Sequence, residues 1–174
     1  MADLLRLGSP QKISPTDLDR SEHIRVEQDK RTWWTSWCID LMVCTELGVS
    51  PIHKNNNKRL ELPSNNGVEE FQGQFFNAQL LKAQIELCQI RLQVIETVTT
   101  RLQKGALDRL RSVLSPCLTA INTWRKDLPL DLSFDFNEGI PQTLATSSLL
   151  RSVASLYLRY HQVRLYAHDS GHLS

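Results

Sequence analysis

A carboxylate among tryptophans is the feature of this sequence that could do chemistry. Three of the four tryptophans, Trp33, Trp34 and Trp37, lie within five residues. Trp33 and Trp37 are one helical turn apart, and Asp40 and Cys44 continue the same spacing, so Asp40 falls within an apolar stripe. Burying an unpaired charge is costly, so this carboxylate needs a partner. Asp40 could act as a catalytic acid, but no second polar group shares its stripe, and a structural ion pair is the favoured interpretation.

The other residues with metal-binding or nucleophilic chemistry do not form a recognisable site. His168 and His172 have a spacing that suits a metal on a helix, but Gly171 intervenes and no third ligand is near. The cysteines fit no zinc template and fall on predicted apolar helix faces. We therefore expect buried thiols and, from them, an intracellular reducing compartment. The four cysteines are Cys38, Cys44, Cys88 and Cys117.

A polar loop carries the densest group of basic residues. Lys54, Lys58 and Arg59 could contact phosphate, but a solvated loop is the favoured interpretation. No glycine-rich phosphate loop and no nucleophile elbow is found. The sequence therefore predicts no catalytic, cofactor-binding or metal-binding residue, and we expect that the chain is not an enzyme.

The overall charge balance restricts the kinds of partner. The 174 residues include 20 basic and 19 acidic side chains, for a formal net charge of +1. A nucleic-acid-binding surface over the whole chain is disfavoured, because such modules are usually strongly basic. No apolar run is long enough to span a membrane, and the first residues do not resemble a secretory signal.

Hydrophobic periodicity predicts helices throughout and no strand. Residues 1–20 read as a helix stump and a turn-rich linker. A first helix is predicted from Ser21 to about Leu47, ended by Gly48, and a second from about Val68 to Gln103. The wide apolar face of this second helix suggests a central element, with coiled-coil dimerisation as the alternative. Its first predicted stripe is Leu81, Ile85, Cys88, Leu92, Ile95 and Leu102, and its second is Leu80, Leu87 and Val94.

Two further helices complete the predicted architecture. Pro116 lies within the third apolar stripe and predicts a kink, or a restart capped by Ser115. The last helix is predicted from about Gln142 to His168, followed by a tail over 169–174. We expect an all-α fold, an irregular and incomplete multi-helix bundle, with one domain over residues 21–168. The predicted inward residues of these helices are Leu107, Leu110, Leu114, Cys117, Ile121, Trp124 and Leu128, then Leu149, Val153, Leu156, Tyr160 and Val163.

The tryptophan run also resembles the middle homology region of fungal zinc-cluster transcription factors. That regulatory domain often carries an acid, a basic pair, Trp-Trp and an aspartate, and then a glycine, a proline and a Leu-Pro pair. Two later segments, 124–129 and 156–161, resemble its Trp-then-Leu-Pro helix end and its Tyr-rich late helix, so the resemblance spans about Glu22 to Tyr166. The positions that match the first block are Glu27, Lys30-Arg31, Trp33-Trp34, Asp40, Gly48, Pro51 and Leu62-Pro63.

The departures from this pattern concern the surroundings of Asp40. The family usually has arginine after the aspartate and after the glycine, whereas this chain has Leu41 and Val49. Arg31 or Arg59 would then have to pair with Asp40. Our hypothesis is that Asp40 holds the first helix to a neighbour by a buried charge-assisted hydrogen bond, so that Asp40→Ala costs about 3–5 kcal/mol.

The resemblance implies a regulatory domain of a nuclear transcription factor that controls transcription by RNA polymerase II. DNA and zinc binding in the family reside in an N-terminal six-cysteine cluster. We expect that cluster to be missing here, so that DNA is reached only through the missing domain and this chain holds no cofactor. The implied partners are proteins of the transcription machinery or a second copy of the chain, with no membrane. The alternatives are a stand-alone helical module that sequesters partners, or a small-molecule sensor.

Overall fold

The structure is a computed structural model, and it describes residues 20–52, 61–64, 77–104, 110–129, 132–133 and 150–170. Within these ranges it has four helices and no strand, which confirms the all-α prediction. None of the described helices is long and apolar enough to cross a membrane. Residues 1–19 and 171–174, which include most of the predicted linker and tail, lie outside the described residues. The helices are α1 (Arg20–Glu46), α2 (Ala78–Gln103), α3 (Leu110–Lys126) and α4 (Leu150–Ser170).

The chain divides into two compact units, Met1–Ile85 and Glu86–Ser174. The first unit contains α1, the segment Glu61–Ser64 and the start of α2. The second contains the rest of α2 together with α3 and α4. The single domain predicted over residues 21–168 stays a prediction.

The end of α1 follows the prediction closely. Gly48 has a φ of 68°, the left-handed conformation that glycine adopts without a Cβ clash. The Val49 N–H donates to the Cys44 carbonyl at 2.9 Å, and the Leu47 N–H donates to the Val43 carbonyl at 3.0 Å. The bond from Val49 to Cys44 is the six-to-one bond of a Schellman cap. Such a cap satisfies carbonyls that a helix end would otherwise leave without a donor.

The start of α2 is set by a capping residue that the periodicity did not identify. The Asn77 side-chain oxygen accepts the N–H groups of Gln79 at 2.9 Å and Leu80 at 3.4 Å. Asparagine is among the best N-cap residues because it satisfies N–H groups of the first turn. The helix therefore begins at Ala78, and the predicted start at Val68 was wrong.

The most buried side of α2 is the stripe predicted as secondary. Leu80, Leu87 and Val94 are fully buried, whereas Leu92 is half-buried and Leu102 is exposed. The three buried residues are seven apart and lie along one line of the helix. The buried residues of α2 are Ala78, Leu80, Leu81, Ala83, Gln84, Ile85, Leu87, Cys88, Val94 and Val98.

In the second unit, α3 and α4 pack against each other. The rings of Trp124 and Tyr160 stack with centroids 5.9 Å apart and planes 17° apart. Burial raises the pKa of the Cys117 thiol on α3, and the nearby Thr97 side chain of α2 opposes that effect. The described inward residues confirm the predicted stripes of both helices: Leu114, Cys117, Ile121, Trp124 and Leu128, and Val153, Leu156, Tyr160 and Val163 are buried.

Pro116 does not restart α3. The helix runs without interruption from Leu110 to Lys126, so the predicted restart with Ser115 as cap does not occur. The proline lies on the exposed side, where its ring displaces no packed side chain. Leu107, the first residue of the third predicted stripe, and Gln142, the predicted start of the last helix, lie outside the described residues.

Gly48→Ala should lower the free energy of unfolding by about 1 kcal/mol, because a Cβ disfavours the left-handed conformation while the space around the residue is open. Gly48→Asn is the matched control and should cost less, since asparagine tolerates this conformation better. Urea unfolding of the two variants tests this. Equal stability of wild type and Gly48→Ala would contradict it.

Candidate functional site

The buried side of α1 is turned by about one residue from the predicted stripe. Trp34, Trp37 and Leu41 are almost fully buried, whereas Trp33 and Asp40 are only half-buried. Of the predicted stripe, Trp37 and Cys44 are buried, but the predicted burial of Trp33 and Asp40 was wrong. The residue that takes the buried position is Leu41, where the family pattern usually has arginine.

The three tryptophans form a chain of edge-to-face contacts. Trp33 and Trp34 have centroids 4.8 Å apart with planes at 89°, and Trp34 and Trp37 have centroids 5.5 Å apart with planes at 86°. This geometry is favourable because the positive ring edge faces the negative ring face. Trp34 also donates its indole N–H to the Glu61 carbonyl at 3.1 Å. The central tryptophan thus contacts both its helix neighbours and a segment distant in sequence.

Two charged side chains of α1 are buried, and both bind the main chain of Ser64. Glu27 is 1% exposed and Arg31 is 6% exposed. A carboxylate oxygen of Glu27 accepts the Ser64 N–H at 3.0 Å, and the Arg31 guanidinium donates to the Ser64 carbonyl at 2.7 Å. Both polar groups of this peptide residue are therefore satisfied by side chains, as a buried main chain requires. We call Glu27, Lys30, Arg31 and Trp34 the α1 clamp.

Lys30 supplies a positive charge between the carboxylates of Glu27 and Glu61. Its ammonium donates to Glu27 at 2.9 Å and to Glu61 at 3.0 Å. Burial lowers the pKa of Lys30, but the hydrogen bonds to the two carboxylates outweigh it and raise the pKa above the ordinary value. Burial lowers the pKa of Arg31, and the charge of Glu27 opposes that effect. Two cations thus face two carboxylates around the segment Glu61–Ser64.

Pro63 explains how this segment fits against a helix. It is buried between the two residues whose main-chain groups the α1 clamp binds. Proline has no N–H, so its burial leaves no main-chain donor to satisfy. The Leu-Pro pair noted in the sequence thus provides a segment that can be buried at low polar cost.

Asp40 ties the end of α1 to the segment that follows the helix. Its carboxylate accepts the Ile52 N–H at 3.0 Å and the Cys44 thiol at 3.3 Å, and both donors are neutral. Burial, and then the hydrogen bond to Asp40, raises the pKa of Cys44. Arg31, proposed as a partner, is nine residues away, about 13 Å along the axis, and binds Ser64 instead. The other proposed partner, Arg59, lies outside the described residues.

Of the remaining candidate side chains, those of the four cysteines lie in the described part of the chain. All four cysteines are free and buried, as predicted. Among the described residues, no group of three or more His, Cys, Asp or Glu residues could hold a metal ion. His172 and the side chain of His168, like Lys54 and Lys58 of the polar loop, lie outside the described part of the chain.

Comparison with known protein families identifies the family of this chain. A model of the fungal-specific transcription factor domain matches residues 1–163. The chain belongs to this family. No curated protein and no solved structure matched the chain.

In this fungal-specific transcription factor domain, the α1 clamp joins parts of the recognised pattern that lie far apart in the sequence. The acid, the basic pair and the second tryptophan of α1 all contact the segment that contains Leu62-Pro63. Sequence reasoning noted these residues singly and missed the site they form. The available signal was the spacing of Glu27 and Arg31, which are four apart and lie on one face of the helix. The chemistry of the arrangement is recognition of a peptide main chain.

Glu27→Ala should lower the free energy of unfolding by about 3–5 kcal/mol, because it leaves the Ser64 N–H without its acceptor and removes the buried negative charge that opposes Lys30 and Arg31. Glu27→Gln should cost less, since its amide oxygen can still accept. Chemical denaturation gives both values. Glu22→Ala, which removes an exposed carboxylate paired with Arg25 in the same helix, is the control and should cause no measurable change. A Glu27→Ala variant as stable as this control would show that the clamp contributes nothing.

Asp40→Ala should cost about 1 kcal/mol rather than the 3–5 kcal/mol expected from a buried ion pair, because the carboxylate is only half-buried and two of its hydrogen bonds come from neutral donors. Asp40→Asn should cost less, because one amide oxygen remains to accept the Ile52 N–H. Denaturant unfolding measures both. A loss of about 3 kcal/mol or more on Asp40→Ala would restore the ion-pair interpretation.

Proposed function

We propose that this chain is the regulatory module of a nuclear transcription factor and that it controls transcription by RNA polymerase II through protein contacts, without catalysis. In this proposal, DNA is bound by a separate zinc-cluster module of the same transcription factor. Membership of the fungal-specific transcription factor domain family supports this role. The observation that carries the mechanism is the α1 clamp, which holds a loop segment on a helix by its main chain.

The mechanism is a switch between a closed and an open clamp. In the closed state, Glu61–Ser64 covers the clamp side chains; in the open state, those side chains and the segment are both free to bind other proteins. A charge-assisted hydrogen bond contributes about 1.5–3 kcal/mol. Since about 5.5 kcal/mol moves a two-state equilibrium from 1:99 to 99:1, a partner that competes for two or three of these bonds could change the state of the module.

A second candidate function is a stand-alone module that sequesters partner proteins. The observation that favours it is a group of large apolar side chains that remain exposed at the end of α1, including Leu47 and Ile52. Exposed apolar patches of this kind mark interaction surfaces. The two functions differ in whether the chain must be linked to a DNA-binding module to affect transcription.

A reporter assay tests the switch. The chain is placed between an unrelated DNA-binding domain and a strong activation segment, and its output is compared with that of a flexible linker of equal length. The chain should lower the output by masking the activation segment. Arg31→Gln should raise it again, because loss of one charge-assisted bond shifts the closed-to-open ratio by about tenfold. Equal outputs for the chain and the linker would refute the proposal.

Controls separate the two candidate functions. Glu22→Ala changes an exposed charge outside the clamp and should leave the masking intact. Circular dichroism of each purified variant shows whether its helices are retained. If the unlinked chain, expressed beside the activator, lowers the output as strongly as the linked one, sequestration is the correct function.

A further inference from the structure

The segment Glu61–Ser64 lies at the surface of the first unit, although its contacts with α1 are partly buried. The side chain of Glu61 is 82% exposed and Leu62 is 38% exposed, whereas Pro63 is buried. The segment therefore has an outer side that faces solvent and an inner side that the α1 clamp binds. A competing peptide would reach the clamp from the solvent side.

The order of the contacts gives the direction of the segment. Trp34 binds the Glu61 carbonyl, and Glu27, two turns earlier on the helix, binds the Ser64 N–H. The segment therefore runs antiparallel to α1. Three extended residues span about 10 Å, and the seven residues from Glu27 to Trp34 rise about 10 Å along the axis, so the two lengths match.

Each position of the segment, numbered one to four along Glu61–Ser64, meets the clamp differently. Position one offers a carbonyl to Trp34 at 3.1 Å and a carboxylate to Lys30 at 3.0 Å. Position two is exposed, and position three is a buried proline. Position four offers its N–H to Glu27 at 3.0 Å and its carbonyl to Arg31 at 2.7 Å.

These contacts select one class of peptide. A carboxylate at position one pairs with Lys30, whereas a cation there would meet a like charge. Proline at position three can be buried without an unsatisfied N–H, and it restricts the residue before it to extended backbone. Position four must have an N–H, so proline is excluded there. The clamp therefore recognises the pattern acid, any residue, proline, any residue other than proline.

We propose that the α1 clamp binds an extended segment of this pattern from another protein, and that Glu61–Ser64 is the internal competitor for the same position. This partner class deepens the proposed switch and rests on it. Because the internal segment is tethered, it competes at an effective concentration of about millimolar. Displacement therefore depends on how strongly the internal segment is held, and a variant that weakens it should bind the partner more tightly.

A charge reversal in the internal segment tests this competition. The probe is a labelled peptide with Glu-Leu-Pro-Ser between neutral flanks, and its binding to the complete chain is measured by fluorescence anisotropy. Glu61→Lys places a like charge opposite Lys30 and should tighten probe binding by about fivefold. Leu62→Lys, which adds the same side chain at the exposed neighbour, is the matched control and should bind as the wild type does. Equal affinities of these two variants overturn the proposal.

Peptide variants test the pattern, with the Glu61→Lys chain as the receptor. One peptide has the reversed order Ser-Pro-Leu-Glu, one has lysine at position one, and one has an N-methyl group at position four. Each should bind about fivefold more weakly or worse, because each removes a contact with the clamp. A probe that binds no more tightly than these three peptides, or does not bind at all, overturns the proposal.

Substitutions on the helix locate the site. In the Glu61→Lys chain, Arg31→Gln should weaken probe binding by about tenfold, since it removes the charged donor to the position-four carbonyl. Arg25→Gln makes the same change at an exposed arginine of α1 outside the clamp and should leave binding unchanged. Equal losses in the two variants overturn the proposal. Circular dichroism checks the helical content, and the N-methyl peptide tests the same end of the site without any change in the helix.

A second copy of the chain is the rival occupant, because its own Glu61–Ser64 segment has the same pattern. Exchange of segments between two copies would give a concentration-dependent dimer that an excess of the probe dissociates. Such a dimer, observed by sedimentation of the wild-type chain, overturns the proposal, whereas a monomer supports it.

The outcomes for this inference and for the proposed switch can be separated. The peptide assays use purified chain, and the reporter assay does not. Absence of peptide binding with intact masking would refute only this inference, whereas absence of masking with intact peptide binding would refute the proposed switch.

Discussion

The burial of the Glu27 carboxylate is the constraint on which the first unit depends. A carboxylate that is 1% exposed is tolerated only when charges and donors surround it. Lys30 lies one turn away on the same helix, but the Ser64 N–H comes from a segment far along the chain. The helix therefore cannot complete its own buried surface, and Glu61–Ser64 must lie on α1 for that surface to be stable.

This dependence explains which parts of the structure the sequence could predict. Helix type and the Gly48 stop follow from local pattern and backbone freedom, and both predictions were confirmed. The phase of the α1 stripe was predicted one residue away, because the buried side is decided by the distant segment that covers Trp34. The sequence pattern predicted that Asp40 is the buried acid, because it follows the tryptophans at helical spacing. Among the described residues the buried acid is Glu27, which lies outside any predicted apolar stripe.

The end of α1 and the α1 clamp are connected by a single stretch of chain. Ile52 is held by Asp40, and Glu61 is held by Trp34 and Lys30, so both ends of the connection 53–60 are fixed on one helix. Asp40 and Trp34 are six residues apart, about 9 Å along the axis. The end of α1 and the α1 clamp are thus linked through one short connection.

Because the α1 clamp binds main-chain groups, the exposed side chains of the bound segment can vary without loss of the clamp. Glu27, Arg31 and Trp34 bind the N–H and carbonyl groups of the segment, which every residue except proline provides in full. Side chains such as that of Leu62 remain exposed and contribute less to the contact. Substitution should therefore be tolerated at Leu62 and costly on the helix. A clamp of this kind fixes where the chain passes while leaving the side chains that face solvent free to change.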